Sequence, residues 1–115
     1  MNIKLENDIY ILSINKIVNA GNIQEFKEKI QELKTNKAKK IIIDFNSIDF
    51  IISEAMGQLV SLLKYIREYK GKIVICNLNS KVRRLFNITR LDLVFNIVES
   101  LNDAKEKFRN DSQAL

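Results

Sequence analysis

The stretch Ile48-Asp49-Phe50-Ile51-Ile52-Ser53-Glu54-Ala55-Met56-Gly57 is where residue types and spacing come nearest to chemistry. An apolar run ends, a short loop follows, and a hydroxyl, Ser53, stands where an amphipathic segment begins. A helix start presents unpaired N–H groups and a partial positive charge. A phosphoryl group added there brings about −1.5 to −2 charges and is stabilised locally. Ser53 is therefore suited to be a charge switch on a binding face, altering that face without unfolding the core. Its plain structural use is as a helix N-cap, worth about 1 kcal/mol. The acids Asp44, Asp49, Glu54 and Asp92 fall near strand ends and loops. Paired carboxylates do acid–base work, but no spacing brings two of these together, and turn formation and capping account for them. Cys76 lies in an apolar run, where cysteine behaves as a small hydrophobe. Tyr65 and Tyr69 read as amphipathic helix residues rather than a binding box.

Other chemistries are excluded by composition. With no His there is no imidazole base and no His metal ligand. One Cys forms no internal disulfide and no CxxC pair, which fits a reducing compartment. The three glycines, Gly21, Gly57 and Gly71, build neither GxxxxGK nor GxGxxG. The expectation is a non-enzymatic protein without metal or cofactor.

The elements that position Ser53 alternate strand and helix. Residues 3–6 and 9–14 read as two short strands around an Asn7-Asp8 turn. A helix starting near Asn22 carries Ile23, Phe26, Ile30 and Leu33 on one stripe, with Asn19 or Asn22 as its N-cap. Lys40 to Phe45 is apolar on consecutive positions, as in a strand buried on both faces, and ends at the turn-prone Asn46-Ser47. The spacing of Met56, Leu59, Val60, Leu62, Leu63 and Ile66 predicts a helix over 53–69, with Gly71 as the left-handed residue that ends it. Lys72 to Cys76 is another buried strand. Ser80 is placed to cap a short helix carrying Val82, Leu85 and Phe86, Val94 to Val98 is a last strand, and Leu101, Ala104 and Phe108 mark a terminal helix. The order β-β-α-β-α-β-α-β-α, with right-handed crossovers, predicts an α/β fold: a mixed sheet, mainly parallel with an antiparallel first strand, and about four helices. One domain over 1–110 with a frayed tail over 111–115 is expected.

At 115 residues, 46% of them hydrophobic, the chain has enough apolar side chains for a core of its own. The net charge of +5 raises the question of nucleic acid, with clusters at Lys34, Lys37, Lys39 and Lys40 and at Lys81, Arg83 and Arg84. No aromatic residue interleaves the first cluster in sequence, so a solvated basic surface is expected and direct nucleic-acid binding is not. No apolar run approaches the ~20 residues of a membrane span, and the N-terminus carries no signal-peptide pattern, so a cytoplasmic protein without membrane insertion is expected.

With these residues in view, the chain resembles a STAS domain of the bacterial anti-sigma-factor antagonist type over nearly its whole length. The resemblance is carried by Ile41-Ile42-Ile43-Asp44-Phe45, by Ile48-Asp49-Phe50 leading to Ser53-Glu54-Ala55-Met56-Gly57, and by Ile73-Val74-Ile75-Cys76-Asn77. Ser80-Lys81-Val82-Arg83-Arg84-Leu85-Phe86 and Leu91 extend it. The family signature, roughly Asp-Ser-Ser/Thr-Gly-Leu-Gly after an aromatic-plus-apolar pair, puts the phosphorylatable serine on Ser53 and the second glycine on Gly57. The resemblance implies a switch protein that binds an anti-sigma factor, itself a serine kinase, and so frees a sigma factor. The kinase phosphorylates the serine, the complex dissociates, and a serine phosphatase resets it.

This chain departs from the signature at Ile52 for Asp, Glu54 for Ser/Thr and Ala55 for the first Gly, and Lys16-Ile17-Val18-Asn19 replaces the Gly-Glu-Leu-Asp turn. Glu54 adds a carboxylate in the first helical turn, in partial imitation of the modified state. The expected partner face is the loop 46–52 and the start of the second helix, with Asn19, Asn46, Asp49, Ile52, Ser53, Glu54, Met56 and Gly57 as its residues and Asn77 and Asn79 on its margin. The degenerate motif leaves a second class of function open, a phosphorylation-independent STAS scaffold or accessory subunit of a signalling or transport complex. A homodimer is left open too.

Overall fold

The computed structural model describes the backbone of residues 1–113 and the side chains of 1–109. Five strands and four helices follow the predicted order. These are β1 (Asn2–Glu6), β2 (Ile9–Ser13), α1 (Ile23–Thr35), β3 (Lys40–Asp44), α2 (Ser53–Arg67), β4 (Lys72–Cys76), α3 (Ser80–Ile88), β5 (Asn96–Val98) and α4 (Leu101–Gln113). The sheet order is β1-β2-β3-β4-β5, with β1 antiparallel to β2 and every other pair parallel. The helix α4 is described through Gln113, and residues 114–115 of the expected tail lie outside the described residues.

Strand side chains alternate between faces. On one face Leu12, Ile41, Ile43, Ile73 and Ile75 meet Phe26, Ile30 and Leu33 of α1 and Leu59, Leu62 and Ile66 of α2. On the other, Ile11, Ile42, Val74 and Cys76 meet Ala104 and Phe108 of α4. Consecutive apolar residues in β3 and β4 are thus each buried, on opposite faces, as the unbroken runs required. Helices α1 and α2 run parallel, joined along their seam by the Lys27–Glu54 ion pair and by Lys34 Nζ donating to Ser61 Oγ at 2.8 Å. Edge-to-face contacts from Phe45 to Phe86 (6.2 Å between centroids) and from Phe86 to Phe95 (6.1 Å) fix α3 beside β3.

The short hairpin forms without glycine because Asn7 and Asp8 both take positive φ, 48° and 72°, the handedness a two-residue turn demands. The end of α2 corrects the expectation at Gly71. The helix closes with Lys70 at φ 64°, while Gly71 has no positive φ. Lys70 N–H donates to Arg67 O at 3.1 Å and Gly71 N–H to Ile66 O at 2.7 Å, the bond pair of a Schellman motif. Gly71 is demanded by space instead, since a Cβ there would lie 2.7 Å from Ile66 Cβ.

Other boundaries move for local reasons. The last strand is shorter than 94–98 because Val94 and Phe95 spend their N–H groups on Leu91 O (3.1 and 3.0 Å), closing a 3-10 turn at Leu91–Leu93. The caps of α3 and α1 differ from expectation in different ways. Asn79, not Ser80, caps α3, its Oδ1 accepting from Lys81 N–H at 2.9 Å. Asn22 is the N-cap of α1, but its Oδ1 accepts from Asn19 N–H at 2.8 Å rather than from a helical N–H.

Candidate functional site

The site is built at the C-terminal ends of the central strands. Asp44 ends β3 with 4% exposure and is the buried charged residue of the described core. Its Oδ1 accepts from Asn46 N–H at 3.0 Å and from Asn77 Nδ2 at 2.9 Å. Asn46, Ser47 and Asn77 all take positive φ, and Ser47 N–H donates to Asn77 O at 2.9 Å. Asn46 Nδ2 reaches back to Ile14 O at 3.2 Å, beyond β2. One buried carboxylate therefore ties the ends of β2, β3 and β4 and aims the loop 46–52.

A second tether holds the far end of that loop. Val18 and Ile51 form an isolated parallel bridge, with Val18 N–H donating to Phe50 O at 3.2 Å and Ile52 N–H to Val18 O at 3.0 Å. Asn19 is thereby brought next to Ile52 and Ser53, which sequence separation alone does not show. The amide of Asn19 is occupied locally, its Oδ1 accepting from Gly21 N–H (2.9 Å) and Asn22 N–H (3.1 Å).

Ser53 is exposed, and it is the first residue of α2 rather than its N-cap. That position belongs to Ile52 (φ −80°, ψ 157°), and no side chain caps the helix. The hydroxyl is thus not consumed in capping. Glu54, one residue on, is half-exposed and ion-paired with Lys27 of α1. Its charge is answered from within the chain, so it is a weaker imitation of a phosphate than its position suggested.

Asn46 and Asp49 are exposed and Ile52 is half-buried, whereas Met56 is 7% exposed and belongs largely to the core. Gly57 is exposed on α2, and a Cβ added there would meet nothing within 4 Å. Neither packing nor backbone geometry within this chain requires a glycine at that position. Of the two marginal asparagines, Asn77 holds Asp44 and Asn79 caps α3.

Beside Ser53 lies an apolar groove of about 340 Å3, lined by Phe50, Ile51, Ile52, Ser53, Met56, Leu85 and Thr89. Phe50 is 44% exposed, and Ile88, one helical turn beyond Leu85, is 69% exposed. Phe50 lies in the loop 46–52 expected at the partner face, whereas sequence reading missed Leu85 and Thr89 as site residues. The available signal was an apolar residue too many: Ile88 follows Val82, Leu85 and Phe86 on a nine-residue helix that buries one narrow stripe.

The candidate acids are dispersed in role, Asp44 to the strand ends, Glu54 to Lys27, and Asp49 to solvent. Among the described residues no group of three or more Cys, Asp or Glu side chains is placed to hold a metal ion. Burial pushes the Cys76 thiol up to about 12, which removes thiolate chemistry at neutral pH.

The STAS domain family model matches residues 1–104. The chain belongs to the STAS domain family. Within that family it is similar to a Thermotoga maritima protein described as a candidate anti-sigma factor antagonist, at 31% identity over 107 residues, covering 92% of this chain and 95% of the relative. It is also similar to a Bordetella bronchiseptica protein described in the same way, BtrV, at 22% identity over 86% of this chain and 85% of the relative. The crystal structure of a Thermotoga maritima candidate anti-sigma factor antagonist superposes with a TM-score of 0.86 at 29% identity, over 94% of this chain and 93% of that one. The Bacillus cell fate determinant SpoIIAA, solved in phosphorylated form, shares the fold with a TM-score of 0.71 at 15% identity, over 93% of this chain and 99% of that one. The mixed five-stranded sheet with its antiparallel first strand is thus the STAS sheet, and loop 46–52 with the start of α2 is this chain's version of the STAS segment between β3 and α2.

Proposed function

We propose that this STAS domain is a phosphorylation-switched antagonist of an anti-sigma factor. In the unmodified state the face around Ser53 binds an anti-sigma factor that is also a serine kinase, and a sigma factor is released for transcription. The observation that carries this reading is an exposed serine, not used as a cap, on the rim of an apolar groove. Phe50, Ile52, Leu85 and Thr89 supply an apolar docking floor, and Asn19, Asn46, Asp49 and Glu54 its polar margin. Gly57, free of any need within the chain, leaves room for a partner backbone.

The switch follows from desolvation. A docked partner strips water from the groove and from its rim. A phosphoryl group on Ser53 would add a nearly dianionic charge there, and burying it without a matched cation is costly. Lys27, the cation paired with Glu54, is already engaged. The complex therefore opens when Ser53 is modified, and a serine phosphatase restores the docking face.

Incubating the protein with its cognate anti-sigma kinase and ATP should add about 80 Da, one phosphoryl group, to the intact mass. Ser53→Ala should abolish the gain while keeping partner binding. No mass gain with the native sequence would overturn the switch.

One observation favours a second reading. Ile52 stands where the signature has Asp, and Glu54 is locked to Lys27. A phosphorylation-independent scaffold using the same groove would form a complex that ATP and the kinase leave intact, and Ser53→Asp would leave its affinity unchanged.

A further inference from the structure

We propose that the end of the molecule opposite Ser53 is a docking face for a planar anionic lipid surface, on which the domain lies without inserting. The charge of this protein is segregated along the sheet. The strands β3 and β4 start with Lys39-Lys40 and Lys72, adjacent in the sheet, since Lys40 pairs with Lys72 and Lys72 N–H donates to Lys39 O at 2.7 Å. Helix α1 ends there with Lys34 and Lys37, and helix α2 with Lys64, Arg67 and Lys70. Helix α4 adds Lys105 and Arg109 at this end, ion-paired with Glu6 and Glu106, and the other carboxylates there are Asp8, Glu32 and Glu68. Ten cations against five carboxylates leave an excess of five, equal to the net charge of the whole chain. The remainder of the molecule is neutral in sum.

The cations that matter most are unanswered. Lys37, Lys39, Lys64, Arg67 and Lys70 are exposed and make no ion pair among the described residues. Lys37 and Lys70 stand at φ 52° and 64°, where glycine or asparagine fits better. Aromatic residues absent from the lysine cluster in sequence are brought to it in space. Tyr69 Oη donates to Ala38 O at 3.4 Å, between Lys37 and Lys39 in the chain, and Lys34 Nζ lies 5.8 Å from the centroid of the Tyr65 ring, itself 40% exposed.

Charge complementarity selects the occupant. Four to eight clustered Lys/Arg residues fit anionic phospholipid head groups, and tyrosine sits well at head-group depth. The cations come from the ends of two helices and the starts of two strands, spread across one end of the molecule rather than along a single track, which suits a plane better than a strand of nucleic acid. Helix α2 spans about 22 Å between Ser53 and this end. A domain lying on lipid by its lysine end thus keeps the Ser53 face turned to solvent. Lipid docking at this end needs nothing of Ser53.

The test is cosedimentation of the full chain with vesicles of phosphatidylcholine, alone or with roughly one-third phosphatidylserine. Partition to the anionic vesicles should exceed that to neutral ones by about tenfold or more and fall as salt rises. The double variant Lys37→Asn, Lys70→Asn keeps the fold, because asparagine accepts left-handed backbone, and should lose about tenfold or more in partition. The charge-matched control Lys81→Gln, Lys107→Gln should lose less than about threefold. Equal partition to neutral vesicles, equal loss in the two double variants, or tighter binding to a single-stranded oligothymidylate than to the anionic vesicles would each overturn the proposal.

Discussion

The two ends of the sheet are built on opposite logics. At the strand C-termini the backbone is irregular, with Asn46, Ser47 and Asn77 at positive φ, and the side chains that hold it are neutral amides around one buried carboxylate, Asp44. Apolar groups, Phe50 and Ile88, are left to solvent beside it. At the strand N-termini the turns are closed by backbone hydrogen bonds, Ala38 N–H to Leu33 O at 3.1 Å and Gly71 N–H to Ile66 O at 2.7 Å, and what faces solvent is charge. Specific recognition needs a shape held in place, so the first end spends buried polar contacts on geometry. A general attraction needs only charge density, so the second end holds some lysines, Lys34 on Ser61 and Lys40 on Asp8, and leaves Lys37, Lys39, Lys64 and Lys70 without an ion pair among the described residues.

Substitutions confined to one end put this contrast to the test. The largest effect is expected from Asp44→Ala, which strands the Asn77 amide and the Asn46 N–H and should cost about 3 kcal/mol in urea unfolding. Lys39→Ala at the other end should stay within about 0.5 kcal/mol. If the two cost the same, the geometry of the Ser53 end does not hang on Asp44. Next in size, Ser53→Asp should weaken the anti-sigma partner by about tenfold, ~1.4 kcal/mol, with the thermal midpoint unchanged, as titration calorimetry and a melt would show together.

Smaller effects separate packing from recognition. Gly57→Ala should raise stability by about 0.5–1 kcal/mol, because the added methyl meets open space in a helix, while weakening partner binding. A stabilised variant that binds as before would show that the partner stays clear of Gly57. Gly71→Ala, by contrast, should destabilise, since its methyl would run into Ile66. The smallest effect is in acid. Hydrogen bonding from Lys16 holds the Glu25 carboxyl below its usual 4.5, so the pair's contribution is present above that value and is lost as pH falls through the folded-state pKa. Lys16→Met should therefore lower the melting temperature slightly at neutral pH and leave it unchanged well below the carboxylate range.

Much of the architecture was legible because it rests on local periodicity. The apolar stripes at Phe26, Ile30, Leu33 and at Leu59, Leu62, Ile66 could be buried only one way, and the unbroken runs at Ile41–Ile43 and Ile73–Cys76 required cover on both faces. Caps and turns were read less well. Ser53, Ser80 and Gly71 each have the residue type for a terminal role, but the φ and hydrogen bonds that assign the role went to Ile52, Asn79 and Lys70. A nearly glycine-free chain places asparagine, aspartate and lysine in left-handed backbone, and residue type alone does not reveal that choice.

The order of elements, the two-faced core and a hydroxyl at the start of α2 follow from the chain read locally, because hydrophobic spacing and local hydrogen-bonding chemistry act within a few residues. It took the assembled fold to make Asp44 grip Asn77, to bring Asn19 against Ile52 through Val18, to set Leu85 and Phe50 in one groove with Ser53, and to crowd lysines from two helices and two strands at one end. Each of these depends on which strand lies beside which. That ordering is set by how the helices cover the sheet as a whole, a global packing condition that no window of sequence contains.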